Sequence, residues 1–496
     1  MTDGYHMPLE EFRRQGHTLV DWVADYLDTV GERPVASTVA PGEVRSGLAP
    51  HPPEQPEPFG AVLADLDRVI LPGITHWQHP GWFAYFPANS SPPSVLGELV
   101  TAGLGVQGML WSTSPAATEV ESLMLDWLVE MLGLPTSWRT DTGPGGGVLQ
   151  TSASDSTHTA LVAARARAVR AGADPHRLVV YTSAQAHSSV EKGARVAALD
   201  HVRLIGVDGA FALDPTQLRT AIEADRNAGL VPCIVVSTLG TTGTTAVDPI
   251  RDVGELARAH QMWHHVDAAY AGAAMCLPEL RHLQDGLELV DSYTFDPHKW
   301  LFTNFDCSAL WVADRSQLID TLTIDPPYLR DAASDSGQVI DYRNWQVPLG
   351  RRFRALKLMF VLRSYGVEGI RHHIREHIAL TRALADRLAA DTRFELVAPT
   401  PFALVCFRHV AGDAPTRALG ANVNASGRSY LTPSTLPDGS AFLRVSIGQT
   451  NTRQEHVDEL WRLIDQRSAD VVQVVDDVMH EVSSERHDGE GRPVTA

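Results

Sequence analysis

Apolar residues follow two different periods along this chain. They recur every three or four positions from Leu9 to Val30 and again over 59–69, which predicts two helices ahead of the first strand. Between Thr118 and Gly366, short β-rich runs alternate with helical stretches such as Ser156–Ala171 and Pro215–Ala228. The predicted strands are Gly147–Thr151, Leu178–Thr182, Val202–Val207, Cys233–Thr238, Trp263–Asp267, Ser292–Asp296 and Ser308–Val312. This alternation predicts an α/β fold with a mostly parallel central sheet, in which ligands lie at the carboxyl ends of the strands.

The rest of the chain predicts smaller parts around that sheet. A long helix is predicted from about Arg352 to Ala390, interrupted near Gly366, and a smaller α+β region follows it. Because 496 residues exceed one ordinary core, several domains are expected. We place an N-terminal helical segment over 1–85, a large α/β domain over 86–370, and a small α+β domain over 371–470. The polar, glycine-containing end, 471–496, is predicted to be a disordered tail.

Composition excludes several classes of partner. The chain has 41 Lys+Arg against 60 Asp+Glu, a net charge of −19, which repels phosphate backbones and argues against nucleic acid. Its four cysteines are scattered without a CxxC pair, which favours reduced thiols in a cytoplasmic protein over zinc or disulfide frameworks. The uncharged stretch Leu99–Thr118 holds too many polar residues and glycines for a membrane span. We expect it to be a buried loop-and-helix segment.

Two segments carry the clearest chemistry. Lys299 lies in Ser292-Tyr293-Thr294-Phe295-Asp296-Pro297-His298-Lys299-Trp300, where flanking aromatic residues and a histidine are unusual neighbours for a surface charge. Asp267 ends the predicted strand in Trp263-His264-His265-Val266-Asp267-Ala268-Ala269-Tyr270. A buried amine and a buried carboxylate at successive strand ends suit pyridoxal 5'-phosphate (PLP). The lysine would form the Schiff base, and the aspartate would keep the pyridine nitrogen protonated. The alternative for Asp267 alone is a carboxylate that caps the next turn.

A possible phosphate site lies at the start of a predicted helix, in Gln150-Thr151-Ser152-Ala153-Ser154-Asp155-Ser156. Unpaired N–H groups and small hydroxyls at a helix N-terminus bind anions. The preceding Gly145-Gly146-Gly147 would allow close backbone approach, although the segment lacks the Lys-Ser/Thr of a nucleotide P-loop. An ordinary serine N-cap is the alternative.

From about Glu11 to Ser446 the sequence resembles the PLP-dependent group II decarboxylases, the family of aromatic L-amino-acid (DOPA, tryptophan and tyrosine) decarboxylases. The segments around Asp267 and Lys299 carry this resemblance. It implies the aspartate aminotransferase-like fold type I, and an intertwined homodimer with active sites at the subunit interface. In that dimer, 1–85 would be the dimerisation segment. It places the phosphate on Ser152, Ala153 and Ser154.

The resemblance also implies roles for single residues. His187, in Gln185-Ala186-His187-Ser188-Ser189, matches the histidine that stacks over the cofactor ring, and Thr242 matches a threonine beside it. Ala269 and His298 fall in the two cofactor-binding segments. Tyr328 matches the loop tyrosine that returns a proton to the substrate carbon after CO2 leaves. That tyrosine favours a simple decarboxylase, since relatives with phenylalanine there tend to be oxygen-using aldehyde synthases.

The substrate pocket implied by the resemblance contains six residues. They are Trp77, Tyr85, Phe86, Gln107, Met109 and Gly350. Glycine at 350 matches plant tryptophan decarboxylases and leaves room for an indole. Gln107 and Met109 depart from the isoleucine and phenylalanine that a partner subunit contributes in DOPA decarboxylase-like sequences, so the preferred ring stays open.

Two further positions are open. Asp296 replaces an asparagine that lies near the cofactor phosphate in animal members, and we expect its carboxylate to point away or to pair with a cation. Arg444 is either a contact for the substrate carboxylate or a structural ion-pair partner.

Three other functions are compatible with parts of the sequence. The nearest is an oxidative aldehyde synthase on the same scaffold. A remote one is a zinc hydrolase, because His373-Ile374-Arg375-Glu376-His377 fits H-x-x-E-H, although neighbouring arginines disfavour a dication. A catalytically silent binding protein is the third, disfavoured because lysine, aspartate, histidine and tyrosine occur together. We therefore expect a PLP-dependent carboxy-lyase that converts an aromatic L-amino acid (tryptophan, 5-hydroxytryptophan, phenylalanine, tyrosine or DOPA) to the amine and CO2, with no metal.

Overall fold

The computed structural model describes residues 6–324, 332–335 and 338–469, and these form two compact units. One unit contains 6–85, Arg408–Leu443 and 451–469. The other contains the described parts of Phe86–Phe407, together with Arg444–Thr450. The four-part division predicted from the sequence stays a prediction. The predicted tail 471–496 lies outside the described residues, and so does the predicted catalytic residue Tyr328.

The helices agree closely with the periodicity of the sequence. In chain order they are α1 Leu9–Thr29, α2 Glu43–Ser46, α3 Phe59–Asp65, α4 Pro92–Leu104, α5 Pro115–Leu132, α6 Ala153–Arg170, α7 Ser189–Val196, α8 Pro215–Asn227, α9 Ile250–Ala259, α10 Pro297–Trp300, α11 Ser316–Leu322, α12 Ala332–Asp335, α13 Arg354–Ala390, α14 Asp413–Ala425 and α15 454–469. Helix α5 shows why the ends fall where they do. The Ser114 hydroxyl accepts from Ala117 N–H, proline occupies the first turn, and Gly133 ends the helix at φ 69°.

The long helix α13 is broken where the sequence predicts it. Gly366 adopts φ 63° and ψ 168°, which lies outside the helical region. Glycine reaches this conformation without steric cost because it has no Cβ. The helix therefore has two halves, 354–365 and 367–390.

The strands are β1 Gly146–Gln150, β2 Leu178–Ser183, β3 His201–Ile205, β4 Val231–Thr238, β5 Trp263–Asp267, β6 Ser292–Phe295, β7 Ser308–Val312, β8 Phe394–Leu396, β9 Leu404–His409, β10 Thr432–Thr435 and β11 Ala441–Ser446. The first seven form one sheet in the order β1-β7-β6-β5-β4-β2-β3. Its pairs are parallel except those made by β7, which runs antiparallel to both neighbours. The predicted α/β class and mostly parallel sheet are confirmed. A second sheet has the order β10-β11-β9-β8.

Register brings two strand ends together. Thr238 of β4 pairs with Asp267 of β5, and Asp267 pairs in turn with Thr294 of β6. The chain leaves β5 and β6 at the same edge of the sheet, directly before the segments that carry Ala269 and Lys299.

Glycines at the start of β1 serve packing, which differs from the sequence-based expectation. A Cβ at Gly146 would lie 2.7 Å from the Trp345 ring, and one at Gly147 would lie 2.7 Å from Trp311 Nε1. Their backbone is covered by tryptophans, so these two glycines do not provide the close approach to phosphate that we expected.

The segment Leu99–Thr118 has the predicted loop and helix, but its predicted burial is wrong. Leu99 is 52% exposed and Leu104 is 57% exposed, because α4 turns one apolar side away from the core. Among the described residues, no helix is long and apolar enough to cross a membrane.

Candidate active site

The carboxyl ends of β5 and β6 bring two acidic residues into one hydrogen-bonded turn. Ala269 N–H donates to Asp267 Oδ1 at 3.0 Å, and Asp296 N–H donates to the Ala269 carbonyl at 3.1 Å. Both carboxylates are buried. A single alanine backbone therefore fixes the spacing between the two strand ends.

Lys299 lies on the short helix α10 and turns back toward Asp296. Its Nζ is 3.2 Å from Asp296 Oδ2, and Lys299 N–H donates to the Asp296 carbonyl at 3.0 Å. The lysine side chain is 29% exposed, whereas that of Asp296 is 2% exposed. The expectation that Asp296 pairs with a cation is confirmed.

His298 completes this group on the other side of Asp296. Cys307 N–H donates to His298 Nδ1 at 3.0 Å, so the neutral ring carries its proton on Nε2. That Nε2 lies 3.5 Å from Asp296 Oδ2. Burial lowers the pKa of His298 and so favours this neutral form, whereas the Asp296 charge opposes that lowering.

His187 belongs to the same electrostatic cluster. It is solvent-accessible, yet the surrounding protein partly desolvates it and lowers its pKa, while Asp267 acts in the opposite direction and Lys299 adds to the lowering. Its Nδ1 lies 2.9 Å from the Ser189 hydroxyl and accepts from Ser189 N–H, which holds the ring at the start of α7. Burial raises the pKa of Asp267, and the Lys299 ammonium opposes that rise. His187, Asp267, Asp296 and Lys299 thus influence one another directly.

Helix α6 begins at the same edge of the sheet, after β1. Ser152 is its N-cap, and the Ser152 hydroxyl accepts from Asp155 N–H at 3.3 Å. The first-turn amides of a helix have no intrahelical acceptor, so those at Ala153 and Ser154 can bind an anion. Thr157 Oγ1 lies 3.4 Å from His265 Nε2 on β5, which fastens this helix start to the strand ending at Asp267.

An aromatic column that the sequence did not reveal runs beside these groups. Phe86 stacks on Tyr270 at 3.8 Å, and Tyr270 stacks on Trp300 at 4.9 Å between ring centroids. Trp300 Nε1 donates to His377 Nδ1 at 3.0 Å. The column connects the turn after Asp267 with the residue after Lys299, and no sequence period marks it because its members come from four segments.

Thr242 and Arg444 lie near one another beyond β4. Thr242 is exposed in a loop closed by the Leu239–Val247 bridge. Arg444 Nε donates to the neighbouring Gly243 carbonyl at 3.0 Å, and its guanidinium lies 5.3 Å from the Phe86 ring centroid.

The other pocket candidates form separate groups. In the first unit, Trp77 stacks on Tyr85 with ring centroids 5.6 Å apart. In the second unit, Gln107 Oε1 accepts from Arg351 N–H, and a Cβ at Gly350 would lie 3.6 Å from Gln107 Nε2. The Met109 carbonyl accepts from Arg343 N–H at 3.0 Å.

The H-x-x-E-H pattern does not form the metal site that it predicts. His377 is 2% exposed, and its Nδ1 accepts from buried Trp300, so it points away from the surface where Glu376 lies. The imidazole near Glu376 on the same side as His373 is His372 instead. The zinc-hydrolase arrangement of His373, Glu376 and His377 is therefore wrong.

Residues 41–410 match the model of the pyridoxal-dependent decarboxylase conserved domain. The chain is 42% identical over 479 residues to an aromatic-L-amino-acid decarboxylase of Cavia porcellus, covering 94% of this chain and 99% of that protein. It is 43% identical over 476 residues to a phenylacetaldehyde synthase of Arabidopsis thaliana, covering 93% and 97%. Its fold matches a crystal structure of Oryza sativa TDC with PLP and tryptamine at a TM-score of 0.92 and 40% identity, covering 94% and 99%.

The fold and the strand-end cluster thus define a PLP-dependent enzyme of the carboxy-lyase class. The chain belongs to the pyridoxal-dependent decarboxylase family, and the predicted family, fold type and cofactor are confirmed.

The site also has a place for further donors and acceptors. Asp296 Oδ1 and both amide atoms of Asn89 are buried with no hydrogen-bond partner within the described ranges. Asn89 N–H donates to the His298 carbonyl at 3.0 Å, so this unpaired amide adjoins the cluster and was missed in the sequence.

Proposed function

We propose that this chain decarboxylates an aromatic L-amino acid to the amine and CO2, with PLP attached to Lys299. The observation that carries the proposal is the cluster of Lys299, Asp267 and His187 at the carboxyl edge of the parallel sheet. Two kinds of relative support the substrate class, an aromatic-L-amino-acid decarboxylase and a tryptophan decarboxylase.

Each residue has a role that follows from its position. Bound PLP supplies the electron sink for the departing carboxylate. Asp267, whose Oδ1 accepts from Ala269 N–H, would keep the ring nitrogen of bound PLP protonated. His187, as a neutral imidazole, and Thr242 would border the ring. Ser152, Ala153 and Ser154 would hold the phosphate, and Ala269 and His298 would complete the cofactor-binding set.

Exchanging Lys299 tests the attachment point. Lys299→Ala should remove the visible absorbance of the attached cofactor and the amine product together. Lys192→Ala is the matched control, because Lys192 is exposed on α7. If Lys299→Ala keeps both colour and turnover, the assignment of this lysine is wrong.

The aromatic side chain of the substrate is proposed to contact Phe86, with Gly350, Gln107 and Met109 setting the ring preference. Because Gln107 Oε1 already accepts from Arg351 N–H, its Nε2 is the group left to face the space beside Gly350. A panel of tryptophan, 5-hydroxytryptophan, phenylalanine, tyrosine and DOPA with amine detection tests this. Comparable rates with aliphatic amino acids would contradict the aromatic class.

The second candidate is an oxidative aldehyde synthase, favoured by the 43% identity to the Arabidopsis thaliana phenylacetaldehyde synthase. Such an enzyme consumes O2 and releases aldehyde, ammonia and hydrogen peroxide with CO2. We infer the simple decarboxylase because Tyr328 can return a proton to the substrate carbon. Tyr328→Phe should keep the cofactor and divert product toward aldehyde. Equimolar ammonia and no amine from the wild-type enzyme would instead establish the synthase.

We infer an intertwined homodimer with active sites at the subunit interface. Large apolar side chains are exposed on α1 and α4, including Leu9 at 77%, Phe12 at 60% and Leu99 at 52%. Such patches are typical of association surfaces. Light scattering coupled to gel filtration should give twice the chain mass, and Leu99→Glu should lower it. A monomeric, fully active wild-type enzyme would contradict the dimer.

We propose a cytoplasmic location from the state of the cysteines. All four cysteines are buried and none forms a disulfide. Unpaired buried thiols are typical of reducing compartments.

A further inference from the structure

The second half of α13 carries a cluster that decarboxylation does not use. Glu376 Oε2 lies 3.4 Å from His372 Nε2 and 3.8 Å from His373 Nδ1. One potential ligand atom from each of the three residues lies within 4.8 Å of the others. Because Glu376 follows His372 by four residues and His373 by three, its carboxylate sits one turn along the helix, between both rings.

These distances are close to those of a metal chelate. Tetrahedral zinc with bonds of about 2.1 Å holds its ligand atoms about 3.4 Å apart. Two of the three separations are near that value, and the remaining one must shorten. His372 can supply this movement through its side-chain torsions, because its side chain is 64% exposed.

Arg371 and Arg375, whose charges disfavour a cation in the sequence, are hydrogen-bonded to other groups. Arg375 makes a two-pronged pair with Glu279, through Nε at 2.8 Å and Nη2 at 3.1 Å. Arg371 donates to the Cys276 carbonyl at 2.9 Å and to Glu368 at 2.6 Å. Their charges are therefore neutralised or directed to other acceptors on the opposite side of the helix from His373.

His373 is also held in place as a ligand. Its ring packs edge-on against Phe302 at 5.5 Å and Tyr365 at 5.8 Å between centroids. Imidazole nitrogens with one carboxylate suit zinc and its neighbours in the first transition series rather than magnesium or calcium.

We propose that His372, His373 and Glu376 bind a zinc-class divalent cation, with water completing the coordination. The cation is separate from decarboxylation, because the cluster is built on the outer side of α13 while His377 of the same helix points inward to Trp300. This site differs from the H-x-x-E-H pattern in one ligand, because His372 takes the place of His377. It has no hydrolytic role.

Equilibrium dialysis of tag-free holoenzyme against Zn2+, with metal analysis, tests the site. One zinc per chain is expected for the wild type. His372→Gln and Glu376→Gln should each weaken binding about tenfold or more. His17→Gln, a change at an exposed histidine on α1, is the matched control and should bind as the wild type does.

Two results would overturn the proposal. The first is zinc uptake by the wild type no greater than that of a His372→Gln/Glu376→Gln double variant, which points to scattered surface histidines. The second is loss of decarboxylation when a chelator removes the zinc, because the bound metal would then be catalytic. Amine formation by the chelated holoenzyme is measured separately, so failure of the metal site leaves the proposed decarboxylation intact.

Discussion

Replacing Asp296 with asparagine should accelerate attachment of PLP to the cofactor-free enzyme. Asp296 Oδ2 lies 3.2 Å from Lys299 Nζ, and this ion pair must break before the lysine can bond to the cofactor aldehyde. At an effective dielectric of ~20, two unit charges at that separation attract by about 5 kcal/mol. The lysine side chain is 29% exposed, so solvent screening leaves about 1–2 kcal/mol of this attraction.

A change of about 1.4 kcal/mol corresponds to a tenfold effect. We therefore expect cofactor attachment to Asp296→Asn to be roughly tenfold faster at neutral pH. The smaller negative charge near the phosphate acts in the same direction. The assay is stopped-flow absorbance of the cofactor-free protein mixed with PLP, which is independent of turnover.

Asp320→Asn, a change at an exposed residue of α11, is the control for net charge, and its rate of cofactor attachment should equal that of the wild type. High salt should narrow the difference between Asp296→Asn and the wild type, because it screens the same attraction. Attachment that is equally fast or slower in Asp296→Asn would refute the reasoning.

Two further predictions concern buried groups. Burial lowers the pKa of His377 to about 3, so below pH 6.5 the unfolded chain takes up a proton that the folded chain excludes. The free energy of unfolding therefore falls by about 1.4 kcal/mol per pH unit from this group as the pH decreases. Urea denaturation at pH 5 and 6 should show a smaller decrease in stability for His377→Gln than for the wild type, and an equal decrease would contradict the argument. Arg351→Met should destabilise by about 3–5 kcal/mol because it leaves the carboxylate of Glu121 buried without its ion-pair partner. Adding Glu121→Gln should recover part of that loss, and a double variant no more stable than Arg351→Met would count against a charge effect.

Local pattern predicted all seven strands of the large sheet to within two residues at each end. Strands β5 and β7 begin and end where the sequence predicts, because continuous apolar runs bounded by polar residues are typical of strands buried on both faces. The break at Gly366 was also predictable, since only a residue without Cβ reaches that conformation easily. The glycines of β1 were misassigned because their neighbours Trp311 and Trp345 are far away in the sequence.

The sequence alone determined the family, the cofactor and the order of strands and helices, since these depend on short-range periodicity and on motifs of a few adjacent residues. Tertiary structure decided which groups meet. It directed His377 to Trp300, stacked Phe86 on Tyr270, and brought Arg351 to Glu121. Such contacts depend on side-chain direction and on elements distant along the chain, which neither period nor motif records.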